Sequence, residues 1–189
     1  MSGDLSGEGP RGDDARRLGV LDAALRTFAR FGYRKTSMDD IAREAQISRP
    51  GLYFLFSSKS GLFRAAAERA VELDLTAAEQ ALARPGRPLD ERIVDAFDCW
   101  AGRYVGPMKD VTAVLDDNPG IVGPVRHTGP ARFQDLLVAV LEQSARFAEP
   151  STVARTLISV SVGLKHQTES RDEYLARMTD AVRLLTRTA

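Results

Sequence analysis

The stretch ISRPGLYFLFSSK, residues 47–59, places a proline and a glycine directly before a dense aromatic run. In a strand, residues 52–56 would form an unbroken apolar segment. In a helix, Pro50 and Gly51 are poorly tolerated anywhere but in the first turn. Ser48 can cap a helix that begins at this point, because its hydroxyl can accept a hydrogen bond from a free amide of the first turn. The stretch therefore predicts a short helix that begins around Pro50 and Gly51.

Helical signals also surround this stretch. Apolar residues recur every three or four positions over 15–32, and Gly32 is placed to end that segment. In TSMDDIAREA, Ser37 precedes Asp40 by three positions, which is the spacing of a capping box. A long Ala/Glu/Leu-rich helix is predicted over 58–83.

Further helical segments are predicted in the second half of the chain. They comprise residues 88–106, a short piece over Met108–Leu115, and helices of roughly 131–148, 151–168 and 171–187, with a loop over 117–130 that is rich in proline and glycine. No segment alternates apolar and polar residues for long enough to form a sheet. The chain is predicted to be all-α.

Composition excludes several classes of protein. The apolar fraction of 43% and the charged fraction of 28% are ordinary for a soluble globular protein. No apolar run reaches the ~18–20 residues of a membrane span, and residues 1–14 are predicted to be a disordered extension rather than a signal peptide. The single cysteine, Cys99, and the widely separated His127 and His166 argue against a disulfide framework and a metal site. We expect a cytoplasmic protein without a cofactor.

Charge is unevenly distributed along this neutral chain. Residues 16–59 contain nine Lys or Arg against four Asp or Glu, a balance of +5. Such a basic segment favours a surface that binds a polyanion. The alternative is an ordinary solvated surface.

Two short capped helices that follow a longer one, with a break between Ala45 and Ser48, form the pattern of a helix-turn-helix. The segments FARFGYRKTSM, IAREA, ISRPGLYFLF and SSKSGLF together resemble the DNA-binding domain of the tetracycline-repressor (TetR) family of bacterial regulators. The resemblance is specific over residues 16–64. It continues more loosely to the last two helices, in ARTLISVSVGL and YLARMTDAVRLL.

This resemblance implies an architecture and a function. It implies a three-helix DNA-binding domain over 15–60, continued by the linking helix 58–83, and an effector-binding and dimerisation domain over 84–189. The implied activity is that of a homodimer that binds an inverted-repeat operator and represses transcription until a small apolar molecule releases it.

Candidate DNA-contacting residues lie in and around the predicted recognition helix. Leu52 and Phe56 are four apart and should face inward, which leaves Tyr53, Phe54 and Leu55 to contact DNA or, alternatively, to fill the core of the small unit. The family resemblance assigns phosphate contacts to Thr36, Tyr53 and Lys59. Arg49 is the candidate for bidentate guanine contact. Pro50 and Gly51 allow close backbone approach, and Lys35 with Arg34 adds nonspecific attraction. Gln46 stands where the family usually has glycine.

The second half of the chain contains candidates for an effector pocket and a dimer interface. Aromatic residues at helical spacing are typical of a core, but the resemblance favours a pocket lined by Phe97, Trp100, Tyr104, Met108, Leu115, Phe133 and Leu137. Apolar residues on one face of each of the last two helices predict a four-helix dimer interface formed by Val153, Leu157, Val160, Leu164, Leu175, Met178, Val182 and Leu185. Gly163 would permit close approach of the helices.

Two other classes of protein compete with the regulator. An all-α dimeric adaptor, or a small-molecule-binding protein without specific DNA binding, accounts for the helices but not for the basic segment. An enzyme would need convergent acid, base or nucleophilic groups, and the sequence offers only scattered carboxylates. We therefore expect no enzymatic activity.

Overall fold

A computed structural model describes residues 10–106 and 123–187, and every regular element in these ranges is a helix. The all-α prediction is confirmed. The helices are α1 (Pro10–Phe31), α2 (Met38–Glu44), α3 (Arg49–Leu55), α4 (Lys59–Leu82), α5 (Leu89–Trp100), α6 (Val125–Gln143), α7 (Pro150–Gln167) and α8 (Arg171–Thr186), with a 3₁₀ turn at Gly102–Tyr104. The chain divides into two compact units between Arg69 and Ala70, within α4.

The start of α2 has the predicted cap. The Ser37 hydroxyl accepts from the Asp40 amide at 3.1 Å, and the Asp40 carboxylate accepts from the Ser37 amide at 3.0 Å. The Ser37 hydroxyl also donates to the Asp40 carboxylate, at 2.6 Å, and this bond together with the one from the Ser37 amide stabilises the charged carboxylate and lowers the pKa of Asp40 below its usual value. The predicted capping box is confirmed.

The start of α3 also follows its sequence signals. Ser48 is the N-cap, and its hydroxyl accepts from the Gly51 amide at 3.1 Å. Pro50 lies in the first turn, where the missing amide removes no intrahelical hydrogen bond. The unusual composition of residues 48–51 therefore marks the beginning of a helix.

Between α2 and α3 the backbone makes a tight turn through Gln46. This residue has φ +55, a left-handed conformation that glycine adopts without penalty. The following amide, of Ile47, donates to the Ala42 carbonyl oxygen at 3.0 Å, which closes the turn. Glutamine at this position costs on the order of 1 kcal/mol in backbone strain.

In the first unit, α1 to α3 and the N-terminal part of α4 share one apolar core. Phe28 of α1 and Phe63 of α4 are both buried, and their rings meet edge to face with centroids 5.0 Å apart. Tyr33 packs on Phe63 at 4.9 Å, and burial raises the pKa of its hydroxyl. Arg69 donates to both carboxylate oxygens of Asp22, at 2.7 and 3.2 Å, and so ties α4 to α1.

One sequence prediction about this unit is wrong. Residues 10–14 were expected to belong to a disordered extension, but α1 begins at Pro10. Proline is compatible with the first turn of a helix, and Asp13 in that turn interacts favourably with the free amides. Gly32 ends α1 as expected, with φ +76 and its amide 2.9 Å from the Phe28 carbonyl oxygen.

The second unit is built from the C-terminal part of α4, the helices α5 to α8 and the 3₁₀ turn. Its core centres on Phe97 of α5 and Phe133 of α6, whose rings meet edge to face at 5.1 Å. On the other side, the buried hydroxyl of Tyr174 lies 2.7 Å from the Ser161 hydroxyl and joins α8 to α7. Burial raises the pKa of Tyr174 to about 12.

Three element boundaries in this unit differ from the prediction. The helix that contains Trp100 ends at that residue, and Tyr104 lies in the separate 3₁₀ turn. The loop expected over 117–130 is helical from Val125 onward, with Pro130 inside α6, and this helix ends at Gln143. The buried Gly129 explains why this helical segment contains a glycine, because a Cβ there would lie 2.9 Å from a methyl group of Val71. Here glycine serves close packing and not a turn.

Candidate nucleic-acid interface

The predicted recognition helix, α3, packs on the rest of the first unit through its inner face. Leu52 is fully buried and Phe56 nearly so, as the spacing predicted. At the end of the helix, Arg17 of α1 donates to the Leu55 carbonyl oxygen at 3.1 Å, and its guanidinium lies 4.2 Å from the centroid of the Phe56 ring. These contacts fix which side of α3 faces solvent.

Two aromatic side chains dominate the outer face of α3. Phe54 is 87% exposed and Tyr53 is 42% exposed, whereas Leu55 is half-buried. An exposed phenylalanine gains little from the fold, so the alternative that Phe54 is a core residue is wrong. Its ring is available to contact the sugars and thymine methyl groups of a DNA groove.

Arg49, the candidate for guanine contact, lies at the front of α3 and is already paired. Its Nε lies 3.1 Å from Asp39 Oδ1, and its Nη1 donates to Asp39 Oδ2 at 3.2 Å. Its guanidinium carbon lies 5.7 Å from the centroid of the Tyr53 ring. The side chain remains exposed, so the pair is available to a ligand from outside.

Two predicted phosphate contacts are engaged within the unit. Thr36 is only 2% exposed, and its hydroxyl donates to the Gly32 carbonyl oxygen at 2.8 Å. The predicted role of the Thr36 side chain therefore does not agree with its position, because a buried hydroxyl cannot reach a phosphate. Lys59 is half-buried, and its ammonium donates to the carbonyl oxygens of Tyr33 and Thr36, both at 3.1 Å.

The remaining basic residues lie at the surface. Arg34 and Lys35 are exposed in the loop between α1 and α2, as a role in nonspecific attraction requires. Arg16 belongs to the basic segment but has no role predicted from the sequence, and its side chain lies beside the front of α3. A Cβ added to Gly51 would be 3.3 Å from Arg16 Nη2 and 3.1 Å from Ser48 Oγ. The only sequence signal for Arg16 was its membership in the basic segment.

The described residues that were predicted to line an effector pocket differ in their burial. Phe97, Phe133 and Leu137 are fully buried in the core of the second unit. Trp100 is half-buried and stacks on Phe133, with centroids 4.9 Å apart and planes 10° from parallel. Met108 and Leu115 lie outside the described residues.

Tyr104 belongs to a buried polar cluster that the sequence did not reveal. Its hydroxyl donates to Asp74 of α4, and Arg103 Nη1 donates to the other oxygen of that carboxylate at 2.6 Å. Burial raises the pKa of Asp74 to about 6, although both partners oppose the shift. Burial and the Asp74 charge raise the pKa of Tyr104, and burial raises that of the neighbouring Cys99.

Half of the predicted dimer-interface residues are part of the core. Leu157, Leu164, Met178 and Val182 are buried inside the second unit. These four side chains therefore pack within one protomer and are not exposed to contact a second one. Val153, Val160, Leu175 and Leu185 are half-buried and pack against this core. The apolar side chains that do face outward are Val162 of α7 and Leu184 of α8, neither of which was predicted.

Neither a metal centre nor a membrane span emerges from the described residues. Over 10–106 and 123–187, no group of three or more His, Cys, Asp or Glu side chains is arranged to hold a metal ion. Within the same ranges, no helix combines the length and apolarity needed to cross a bilayer.

Comparison with known proteins places the first unit in a family. The family model for bacterial regulatory proteins of the tetR family matches residues 20–66, which include α2 and α3. Over 92% of this chain and 97% of the other, the fold matches a TetR-like transcriptional regulator from Rhodococcus sp. RHA1, with 27% sequence identity and a TM-score of 0.63. Residues 20–66 therefore match the DNA-binding domain of the TetR family.

The curated sequence relatives match only part of this chain. The transcriptional activator FasR of Mycolicibacterium smegmatis is 42% identical over 69 residues, which are 36% of this chain and 32% of FasR. The transcriptional repressor ComR of Escherichia coli is 31% identical over 97 residues, 51% of this chain and 45% of ComR. The chain thus matches these two relatives over less than half of their length.

Proposed function

We propose that this chain is a homodimeric transcriptional regulator that binds a specific inverted-repeat operator through α3. The observation that carries the proposal is the outer face of α3. There, Phe54 is almost fully exposed, and the guanidinium carbon of the exposed Arg49 lies 5.7 Å from the ring centroid of the exposed Tyr53 on the same helix. A helix of this kind can enter the major groove, where each base pair presents a distinct set of donors and acceptors.

Charge supports a nucleic acid as the partner. The exposed Arg34 and Lys35 lie in the loop that precedes α2, and Arg16 lies beside the front of α3. Cations around a recognition helix can contact phosphates and set its register, while the helix itself contacts bases. Lys59 can also contact a phosphate, because its ammonium has three N–H donors and only two of them bind the carbonyl oxygens of Tyr33 and Thr36.

A dimer supplies two copies of α3, related by a twofold axis, and so predicts an operator with two inverted half-sites. The outward-facing Val162 and Leu184 on the last two helices support dimerisation through α7 and α8. Repression is the simplest mechanism for such a protein, because occupying an operator requires DNA binding alone.

Within this proposal, the second unit binds a small apolar effector near Trp100. The half-buried indole face stacked on Phe133 supplies an apolar surface, and the Asp74–Tyr104 pair supplies nearby polar groups in the same unit. Apolar walls with a few fixed polar groups are typical of small-molecule sites. Binding there should change the fluorescence of Trp100, the single tryptophan of the sequence.

Selection from a random duplex library tests DNA recognition directly. The full-length protein should enrich one inverted repeat and bind it with an affinity that falls steeply with salt concentration. The variant Phe54→Ala serves as the matched negative, and Leu18→Ala, an exposed apolar residue of α1, serves as the positive control. Enrichment of no sequence, together with weak binding that is independent of salt, would contradict the proposal and favour an adaptor.

A further inference from the structure

The guanidinium of Arg49 is held in place by a carboxylate from the neighbouring helix. Asp39 of α2 contacts Nε and Nη1 of Arg49 at 3.1 and 3.2 Å, through a different oxygen in each case. The N–H groups at the far end of the guanidinium remain available. Those groups form the end of the planar fork that matches the O6 and N7 acceptors of guanine.

Stability does not account for this pair. Both side chains are largely exposed, at 63% for Arg49 and 49% for Asp39, and exposed ion pairs contribute little to folding. A carboxylate beside a DNA-binding helix also carries a cost, because it repels the phosphates that the surrounding cations attract. The contact should therefore serve an orienting role that outweighs this repulsion.

Asp39 itself is rigidly placed. It lies between Ser37 and Asp40, the two residues of the capping box, in the first turn of α2, where the helix amides favour an anion. A carboxylate that lies against two nitrogens of an arginine, with a hydrogen bond to one of them, restricts the orientations of the long side chain. Less ordering of that side chain is then required when DNA binds.

We infer that Asp39 is a positioning residue, which aims the Arg49 guanidinium at one base and so sets the base preference of the regulator. The inference rests on the proposed function and adds to it, since a carboxylate that touches no base would determine specificity. Two effects should separate on removal of Asp39. Base preference should weaken because Arg49 is no longer aimed, and nonspecific binding should strengthen because a repulsive charge is removed.

The test measures binding of the full-length dimer to the selected operator and to its single-base-pair variants. Arg49→Ala should reduce discrimination at one symmetric position by roughly 5- to 100-fold, the worth of one bidentate contact. Asp39→Ala should reduce discrimination at the same position by roughly tenfold and strengthen binding to random duplex. In the Arg49→Ala background, removal of Asp39 should change base preference no further.

Glu44→Gln is the matched control. Glu44 also lies on α2 and pairs with an exposed arginine, Arg26, at 3.2 Å, so the substitution removes the same charge without touching α3. It should leave base preference unchanged. Asp39→Asn gives a second, near-isosteric variant should Asp39→Ala fold poorly, as judged by circular dichroism.

The outcomes distinguish the inference from the proposed function. Wild-type preference at every position in both Asp39 variants would overturn the inference and leave Asp39 as a charge that only weakens binding. Unchanged base preference in Arg49→Ala would also overturn the inference. The proposed function would still stand in that case, provided that the wild type selects an operator. Failure of the wild type to select any sequence would overturn both.

Discussion

The Lys59 ammonium donates to the Tyr33 carbonyl oxygen at 3.1 Å and lies 4.4 Å from the centroid of the same residue's ring. A second N–H reaches the carbonyl oxygen of Thr36. One side chain at the start of α4 therefore holds the loop that carries Arg34 and Lys35. This relationship gives Lys59 a structural role in addition to the proposed phosphate contact.

Replacing Lys59 by Ala should affect both roles. Removal of charge-assisted hydrogen bonds to two carbonyl oxygens should lower the free energy of unfolding of the first unit by ~1–3 kcal/mol. The log–log salt slope of DNA binding should fall by roughly 2, at ~0.9 for one phosphate in each half-site that is no longer neutralised. Lys35→Ala, in the exposed loop, should lower the slope without destabilising the unit. An unchanged slope in Lys59→Ala would leave Lys59 with the structural role alone.

Replacing Phe54 by Ala should separate stability from DNA binding. Because the side chain is almost fully exposed, the free energy of unfolding should change by no more than ~0.5 kcal/mol, and the melting temperature should shift only slightly. Operator affinity should fall by more than ~1 kcal/mol per half-site, since alanine is too short to pack against the groove. Thermal unfolding and fluorescence anisotropy with labelled operator measure the two quantities. Normal operator affinity would remove Phe54 from the interface.

Much of the first unit could be predicted because its signals are local. The caps at Ser37 and Ser48 and the inward spacing of Leu52 and Phe56 all depend on residues within four positions of one another. Local hydrogen bonding and helical periodicity determine such features before any tertiary contact forms. This explains why the helix-turn-helix and its exposed face followed from sequence.

The features that were missed depend on residues distant in sequence. Lys59 meets Tyr33 across 26 positions, and Asp74 meets Tyr104 across 30. Gly129 falls in a stretch predicted to be a loop, but it lies inside α6, where the absence of a side chain allows the close approach of Val71. Helical periodicity likewise identified apolar faces on α7 and α8 without showing that the core of one protomer already buries Leu157 and Val182. Such pairings follow only from the assembled packing.

Replacing Gln46 by Gly should stabilise the first unit by up to ~1 kcal/mol, because glycine adopts the left-handed conformation without strain. Operator affinity should not change, since the turn already has that geometry in the free protein. Ala145→Gly, at φ +52 after α6, is the matched substitution in the second unit and should give a similar gain there. Chemical denaturation measures both. A drop in operator affinity in Gln46→Gly would mean that the glutamine side chain itself contributes to binding.

Replacing Leu184 by Arg should break the proposed dimer. Leu184 is 70% exposed on α8, so the new charge costs little in an isolated protomer but would be buried between two protomers. Sedimentation at micromolar concentration should show a monomer with normal helicity and weak operator binding. Leu73→Arg, an exposed leucine on α4, should remain dimeric. A dimeric Leu184→Arg would place the interface on another surface.

The buried carboxylate of Asp74 should make the stability of the second unit depend on pH. Burial raises its pKa to about 6 in the folded protein, whereas an unfolded aspartate titrates near ~3.9. Between these values the folded state binds more protons than the unfolded state, so the contribution of Asp74 to stability falls as pH rises.

The expected decrease is roughly 2 kcal/mol between pH 4 and pH 7, from a shift of about two pKa units. Asp74→Asn should remove this slope. The difference between the wild-type and variant profiles isolates Asp74 from the other titrating groups. Urea denaturation followed by Trp100 fluorescence reports on the second unit, in which both residues lie. Asp172→Asn, an exposed carboxylate of α8, should keep the wild-type profile. Parallel profiles for wild type and Asp74→Asn would show that Arg103 and Tyr104 keep Asp74 ionised despite its burial.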